Sequence, residues 1–182
     1  MKDGVFIGLD VSMRATGLVM LDCDCAVVDR RVIGWPASKH PARTLAERIA
    51  YFVKVSKEIR AAVEVVAELV PVRIVLEGYA VHGPGDPTLA PELGGIVRLG
   101  LHAFDAIEVA PQLLKKYATG AGNAPKDAVM LQVYKRWGFD CGNDNNLADA
   151  YTLARMGRDA ADPVGTTQMQ RDVLVRAKLL KE

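Results

Sequence analysis

Cysteine and histidine are scarce in this chain, which has three of each among 182 residues. The cysteines Cys23, Cys25 and Cys141 are an odd number, which argues against the paired framework of a disulfide-rich secreted protein. Their spacing from the histidines is not that of a zinc site. This usage predicts a reduced, cytoplasmic protein.

Long apolar runs are absent as well. The longest, around residues 61–72, is interrupted by Glu64 and Glu68, so no stretch is apolar enough to cross a membrane. The first residues lead directly into a strand-like run, with no basic and apolar leader before it. We therefore expect neither a signal peptide nor a membrane partner.

The chain also lacks a strong excess of basic residues, because its net charge is only +1. The charge is unevenly distributed, however. Residues 111–137 contain five basic residues and one acidic residue, whereas acids such as Asp140, Asp144 and Asp149 follow them. This asymmetry suits an enzyme that binds phosphates with lysines and cations with carboxylates. Solvated surface charge explains it equally well.

The pattern of apolar residues predicts an α/β domain that begins with three strands. These lie at 5–11, 16–22 and 26–34, and their short connections predict an antiparallel meander. A long helix follows from Pro41 and ends before Pro71. The next strand, 72–78, should run parallel to its neighbour after a right-handed crossover.

The second half of the chain is predominantly helical. A glycine- and proline-rich loop at 80–91 leads to a helix over 88–104 and a fifth strand over 105–109, and then to helices near 111–118, 125–137 and 146–158. We predict one domain over 1–160. A C-terminal helical extension, 161–182, should dock on this domain or on a partner.

Three acidic residues lie in apolar surroundings where strands or helices would bury them. Asp10 lies near the end of the first strand, Glu77 ends the fourth and Asp149 lies within an apolar helix. Parallel neighbouring strands would bring Asp10 and Glu77 to one edge of the sheet, and a late helix could add Asp149. Three converging carboxylates repel one another and so need a hard cation such as Mg²⁺ or Mn²⁺. Taken singly, each acid could instead cap a turn or pair with a lysine.

Four stretches carry these acids and the basic segment, namely IGLDVSMRATG, IVLEGYA, PQLLKKYATGAGNAPKDAVM and NNLADAYTLA. In this order they resemble the motifs of RuvC-type Holliday junction resolvases, more closely those of the phage-encoded branch. The likeness covers residues 5 to 158 or so. It implies an RNase H-like α/β fold, in which a five-stranded mixed sheet (a three-strand antiparallel meander plus two parallel strands) is flanked by helices. A phage-encoded protein would act in the cytoplasm of its host.

The resemblance also implies a metal site. Asp10, Glu77 and Asp149 would be ligands of two Mg²⁺ ions, with Mn²⁺ as an alternative, in two-metal phosphodiester hydrolysis. The family has Asp or His three residues before the last aspartate, where this chain has Asn146. Asp144 would substitute only from non-helical backbone, and the N-cap of the helix is the favoured role for it. Because the third motif includes Lys126, this lysine is expected to stabilise charge on the phosphate, unless it is an exposed helix-start lysine.

Further residues are candidates for DNA binding. Lys115 and Lys116 would hold the backbone farther from the cut, and Tyr79 would stack on an unpaired base unless it is a core residue. Ser12 and Thr16 would contact phosphate, although ordinary turn hydrogen bonds explain them equally well.

The function implied is cleavage of four-way DNA junctions by a homodimer, with no small-molecule cofactor. Glycines at 94, 95 and 100 would allow a close helix contact in such a dimer. Three alternatives share part of the pattern. Sugar kinases and actin-like ATPases open with a similar motif but need a second such domain. A nuclease for flaps, other branched DNA or RNA–DNA hybrids would have the same fold and metal site, and a weakened junction-binding protein would explain Asn146.

Overall fold

The sheet of the computed structural model has five strands in the order β3-β2-β1-β4-β5, and the structure describes residues 3–34, 44–78 and 89–181. The strands β1 to β3 form an antiparallel meander, and β4 runs parallel to both β1 and β5. This confirms the predicted five-stranded mixed sheet. The strands are β1 (Val5–Asp10), β2 (Ala15–Leu21), β3 (Val27–Gly34), β4 (Val72–Glu77) and β5 (Ala106–Val109).

Six helices accompany the sheet within the described residues. Most of the predicted 80–91 loop and the predicted start of the first helix at Pro41 lie outside the described residues. The first helix as described begins after Thr44, whose side chain accepts a hydrogen bond from the backbone of Glu47 in a capping box. The helices are α1 (Leu45–Ala67), α2 (Leu89–Gly100), α3 (Pro111–Thr119), α4 (Lys126–Trp137), α5 (Asn145–Ala161) and α6 (Gln168–Arg176).

Each face of the sheet packs against its own apolar core. One core joins Ile7 and Leu9 of β1 to α1 and α2. The other contains Val19 and Val75 and is covered by α3 to α6. Because both faces are covered, β1 is buried along its whole length, which explains its nearly continuous apolar sequence.

The C-terminal helix α6 packs on the body of the protein. Val173 and Leu174 are almost fully buried in the same core as α5, and α6 contacts α3 as well. The sequence predicted that this extension docks either on the domain or on a partner. In the structure α6 packs on the domain. The boundary at residue 160 remains a prediction. Among the described residues, no helix has the length and apolar character needed to cross a membrane.

Candidate metal centre

Two neighbouring strand ends bring Asp10 and Glu77 together. In the parallel pairing of β1 with β4, Leu9 is opposite Leu76. The residues that follow them, Asp10 in β1 and Glu77 in β4, are therefore neighbours. Leu9 and Leu76 point into the core under α1 and α2. Since successive side chains in a strand alternate between faces, both carboxylates point to the other face, which α5 covers.

Helix α5 can approach these strand ends closely because β1 and β2 have glycines beneath it. A Cβ atom on Gly8 would lie 1.8 Å from the carbonyl oxygen of Ala150, and one on Gly17 would lie 2.1 Å from that of Asn146. Gly17 is also the register partner of Asp10 in β2. The start of α5 therefore rests directly on sheet backbone beside Asp10, which brings Asp149 within reach of it.

The three acids form one compact cluster. A carboxylate oxygen from each of Asp10, Glu77 and Asp149 lies within 4.8 Å of those of the other two. Asp10 is 5% exposed and Asp149 is 6% exposed, so water solvates these two groups poorly. Glu77 is partly buried.

Burial and mutual repulsion both favour the protonated form of these acids. Burial, followed by the charge of Glu77, raises the pKa of Asp10 well above its usual value. Burial, followed by the charge of Asp10, raises the pKa of Asp149 to about 7. The pKa of Glu77 is raised mainly by burial, against a hydrogen bond with Asp10 that lowers it. The cluster therefore holds protons near neutral pH unless a cation balances its charge.

This donor set fits a hard divalent cation. Carboxylate oxygens are the ligands that Mg²⁺ and Mn²⁺ prefer, and three of them converge here in a buried site. A bound cation would offset the repulsion that otherwise keeps protons on the acids. The identity and number of the ions remain predictions.

We expect the metal-free protein to lose stability as the pH rises from about 4 to about 7. Because the pKa of Asp149 is higher in the folded state than in the unfolded chain, the folded state retains a proton that the unfolded state releases. This contribution is fully present below the unfolded pKa and is lost as the pH passes the folded pKa. Urea unfolding in EDTA between pH 4 and pH 8 measures it.

The matched variant is Asp149→Asn, which cannot titrate at this position. Over the same pH range, its free energy of unfolding should fall less than that of the wild type. The difference between the two decreases should be a few kcal/mol. Parallel pH profiles for the two proteins would show that Asp149 has an ordinary pKa in the fold. Saturating Mg²⁺ should offset this loss, because the cation binds the deprotonated acids of the folded state.

Two lysines act on the acid cluster. Lys126 lowers the pKa of all three carboxyl groups, and Lys115 lowers that of Glu77 and Asp149. Lys126 is the exposed first residue of α4, and the half-buried Lys115 lies on α3. Thr119 closes the loop between these helices, since its hydroxyl donates to the carbonyl of Lys115 and accepts from the backbone of Ala121. Lys116 is half-buried on the same helix as Lys115.

Asp144 is the N-cap of α5. Its Oδ1 accepts hydrogen bonds from the backbone N–H groups of Asn146 (2.9 Å) and Leu147 (3.3 Å), and its own backbone is extended. Its charge also raises the pKa of Asp10, so it lies near the cluster. The structure thus gives Asp144 the capping role. The metal roles considered for Asp144 and Asn146 remain predictions.

Ser12 and Thr16 stabilise the turn between β1 and β2. The hydroxyl of Ser12 donates to the carbonyl of Ala15 (2.8 Å) and accepts from its N–H (3.2 Å). Thr16 is completely buried and donates to the carbonyl of Ser12. These are local turn hydrogen bonds, the alternative to phosphate contact in the sequence analysis. Tyr79 lies outside the described residues, so stacking on a base remains a prediction.

A buried polar cluster that the sequence did not reveal joins α3 to α5. The hydroxyl of Tyr117 donates to the carboxylate of Asp159 at 2.5 Å, and Arg155 and Arg158 pair with the same carboxylate. Burial, followed by the charge of Asp159, raises the pKa of Tyr117. The cluster anchors α3, and with it Lys115, on the helix that carries Asp149. No local signal marks the bond between the two helices, because Tyr117 and Asp159 are 42 positions apart.

The architecture is that of known junction resolvases, although no protein-family model and no curated protein matches the chain. Thermus thermophilus RuvC superposes with a TM-score of 0.60 at 16% identity, over 96% of this chain and 97% of that protein. The same enzyme in complex with a Holliday junction substrate gives 0.60 at 18% identity, over 86% and 94%. The yeast mitochondrial Holliday junction resolvase Ydc2 gives 0.51 at 10% identity, over 94% and 79%. At such identities the likeness establishes the architecture, and this chain has the RNase H-like α/β fold of RuvC.

Proposed function

We propose that this protein is a divalent-cation-dependent endonuclease that cleaves four-way DNA junctions. The observation that carries the proposal is the cluster of Asp10, Glu77 and Asp149, whose carboxylates lie within 4.8 Å of one another at the ends of the interior strands and under the start of α5 in a RuvC fold. Burying several acidic groups together lowers the stability of the fold. Such clusters are typical of functional sites, where the acids bind a cation or take part in the reaction.

The residues around the cluster have distinct tasks in this reaction. Asp10, Glu77 and Asp149 would hold the divalent cations, which when bound lower the pKa of an attacking water and stabilise the leaving oxygen. Lys126, exposed at the start of α4, would face a phosphate approaching the cluster and offset charge that develops on it. Lys115 would bind the same strand nearer to the cut than the sequence alone suggested, since it lies within electrostatic reach of Glu77 and Asp149.

Four-way DNA is favoured over other substrates by the extent of the structural likeness. Thermus thermophilus RuvC, in complex with its Holliday junction substrate, matches 86% of this chain. Fold and metal site do not set the substrate by themselves, so flaps, other branched DNA and RNA–DNA hybrids are the alternatives to test. A non-cleaving junction-binding protein is the alternative that Asn146 suggests. Membership of the phage-encoded branch remains a prediction.

Paired cuts on opposite strands require two copies related by a two-fold axis, and we propose a homodimer. The face formed by α1 and α2 is a candidate for the contact. It has an apolar groove of about 600 Å³ that includes Val53 and Leu99, and Leu99 is 71% exposed. Gly100 also lines this groove, beside Ser56 of α1.

The test is cleavage of a labelled synthetic four-way junction, beside linear duplex, a flap and an RNA–DNA hybrid, with Mg²⁺ or with EDTA. We expect symmetrically paired nicks that are confined to the junction and depend on Mg²⁺. Glu77→Gln, which removes one charge from the cluster and retains its shape, should reduce cleavage by at least about 10³-fold, equivalent to about 4 kcal/mol.

The other outcomes identify the alternatives. Cleavage of flaps or hybrids in preference to junctions would leave the fold and the metal site in place but contradict the proposed substrate. Tight junction binding without cleavage in Mg²⁺ or Mn²⁺ would contradict the enzyme and support the binding protein. Equal cleavage by Glu77→Gln and wild type would show that the acid cluster is not the active site.

A further inference from the structure

Tyr134 of α4 is the one aromatic residue among those the structure describes whose side chain is mostly exposed, at 59%. The neighbouring aromatic residues pack on one another instead. Trp137 lies against Tyr117 and Tyr151, and Phe139 stacks on Tyr151 with ring centroids 4.2 Å apart. A single exposed aromatic ring is ordinary on a protein surface, so the position of Tyr134 on the molecule is what matters.

Helix α4, which carries Tyr134, begins beside the acid cluster. Its first residue, Lys126, lowers the pKa of Asp10, Glu77 and Asp149, so its charge lies within electrostatic reach of all three. Tyr134 follows eight residues later in the same helix, about 12 Å along the axis and about 80° around it. Helical side chains lean toward the N-terminus, so the ring of Tyr134 covers the turn on the side of the metal centre.

The cations next to Tyr134 have no acidic partner in the described part of the chain. Lys135 and Arg136 are both exposed, and neither forms an ion pair there. An exposed ring beside free cations is the combination that binds single-stranded nucleic acid, because bases stack on the ring and phosphates contact the basic side chains. On the opposite face of the sheet, four cations of α1 and α2 do pair with acids, namely Arg48 with Glu92, Lys54 with Glu58, Arg60 with Glu64 and Arg98 with Glu108.

We propose that Tyr134 is a DNA-binding residue that stacks on an unpaired base at the branch point, while Lys135 binds a phosphate beside it. The inference rests on the proposed function and adds a second contact to the strand that enters the metal centre. Nucleotides of a stacked strand are about 3.4 Å apart, so a ring about 12 Å from Lys126 meets a base roughly three or four nucleotides away. Base stacking is interrupted at a branch point, whereas an intact duplex would have to be unstacked first.

The test is equilibrium binding of a labelled four-way junction and of a linear duplex to the full chain. Fluorescence anisotropy in EDTA measures binding without cleavage. We expect Tyr134→Ala to weaken junction binding by about 10-fold and duplex binding much less, because the duplex offers no unpaired base. Tyr134→Phe, which retains the ring, should bind the junction like the wild type.

Leu69→Ala is the matched control for the loss of an exposed apolar side chain. Leu69 is 81% exposed beyond the end of α1, the helix that covers the opposite face of the sheet, and its truncation should change neither affinity. Because Tyr134 is exposed, Tyr134→Ala should melt at the wild-type temperature. A lower junction affinity would then come from the lost ring and not from unfolding.

Lys135→Gln tests the phosphate contact separately from stacking. This variant should weaken binding of junction and duplex alike. It should also lower the slope of log affinity against log salt concentration by about 1. An unchanged slope would overturn the phosphate contact.

Three results would overturn the stacking contact. The first is wild-type junction affinity in Tyr134→Ala. The second is an equal loss of affinity for junction and duplex, since an unpaired base would then not be the partner. The third is the same loss in Tyr134→Phe as in Tyr134→Ala, which would assign the contact to the hydroxyl group.

Failure of this proposal is distinguishable from failure of the proposed function. If the wild type binds junctions in a Tyr134-dependent manner but leaves them intact in Mg²⁺, the stacking contact stands and the nuclease assignment falls. If the wild type cleaves junctions in Mg²⁺ and Tyr134→Ala binds them equally well, the nuclease assignment stands and the stacking contact falls.

Discussion

Replacing Asp10 by asparagine should abolish cleavage and at the same time make the metal-free protein more stable. Asp10 is buried beside Glu77, and both burial and that neighbouring charge raise its pKa. The asparagine has nearly the same shape but carries no charge, so it removes the repulsion and with it a cation ligand. We expect junction cleavage to fall by about 10³-fold or more. In EDTA at pH 8 the melting temperature should rise by several degrees, at roughly 2–4 °C per kcal/mol for a domain of this size.

The opposite signs of these two effects separate a functional acid from a structural one. Asp105→Asn is the control, because Asp105 is an exposed acid outside the cluster and should change neither quantity appreciably. Addition of Mg²⁺ should raise the melting temperature of the wild type more than that of Asp10→Asn. A lower metal-free melting temperature in Asp10→Asn would mean that the charged carboxylate stabilises the fold, contrary to its burial next to Glu77.

The second large effect is expected from a glycine that has no functional group. In Gly8→Ala the added Cβ atom would lie 1.8 Å from the carbonyl oxygen of Ala150 and 2.5 Å from the backbone N of Ala154. Both atoms are helix backbone, so α5 would have to move away from β1 as a unit. We expect a loss of about 3 kcal/mol or more in the free energy of unfolding, measured in urea. In any folded fraction Mn²⁺ should bind more weakly, because Asp149 moves with α5.

Gly95→Ala is the matched control for this substitution. Gly95 is an exposed glycine of α2, and a Cβ atom there would meet nothing within 4 Å. Alanine should therefore stabilise the helix by up to about 1 kcal/mol. Wild-type stability and metal affinity in Gly8→Ala would show that the contact between β1 and α5 does not position Asp149.

Local sequence patterns were sufficient for most of the fold. The strands and helices are encoded in the spacing of apolar residues, and the short turns between the first three strands fix the antiparallel meander. The crossover through α1 then makes β4 parallel to β1, because right-handed connections of this kind are strongly preferred. The packing of α6 was not predictable in this way, because an amphipathic helix has the same pattern on its own domain and on a partner.

The acids of the site were also visible in the sequence, but their arrangement was not. Asp10, Glu77 and Asp149 were recognisable as charges in apolar surroundings, and the strand order explains why the first two meet. The roles of Ser12 and Asp144 were left open, because turn residues and phosphate ligands share the same side chains. In the structure, Ser12 bonds to Ala15 as a turn residue, and Asp144 accepts from the first turn of α5 as a helix cap.

By itself, the sequence determined most of the strands and helices and singled out three acids in apolar surroundings, because these properties follow from spacing and composition along the chain. Only the tertiary structure decided how close those acids come to one another. Their separation depends on contacts between distant segments, as in the approach of Gly8 to Ala150 that brings Asp149 to Asp10.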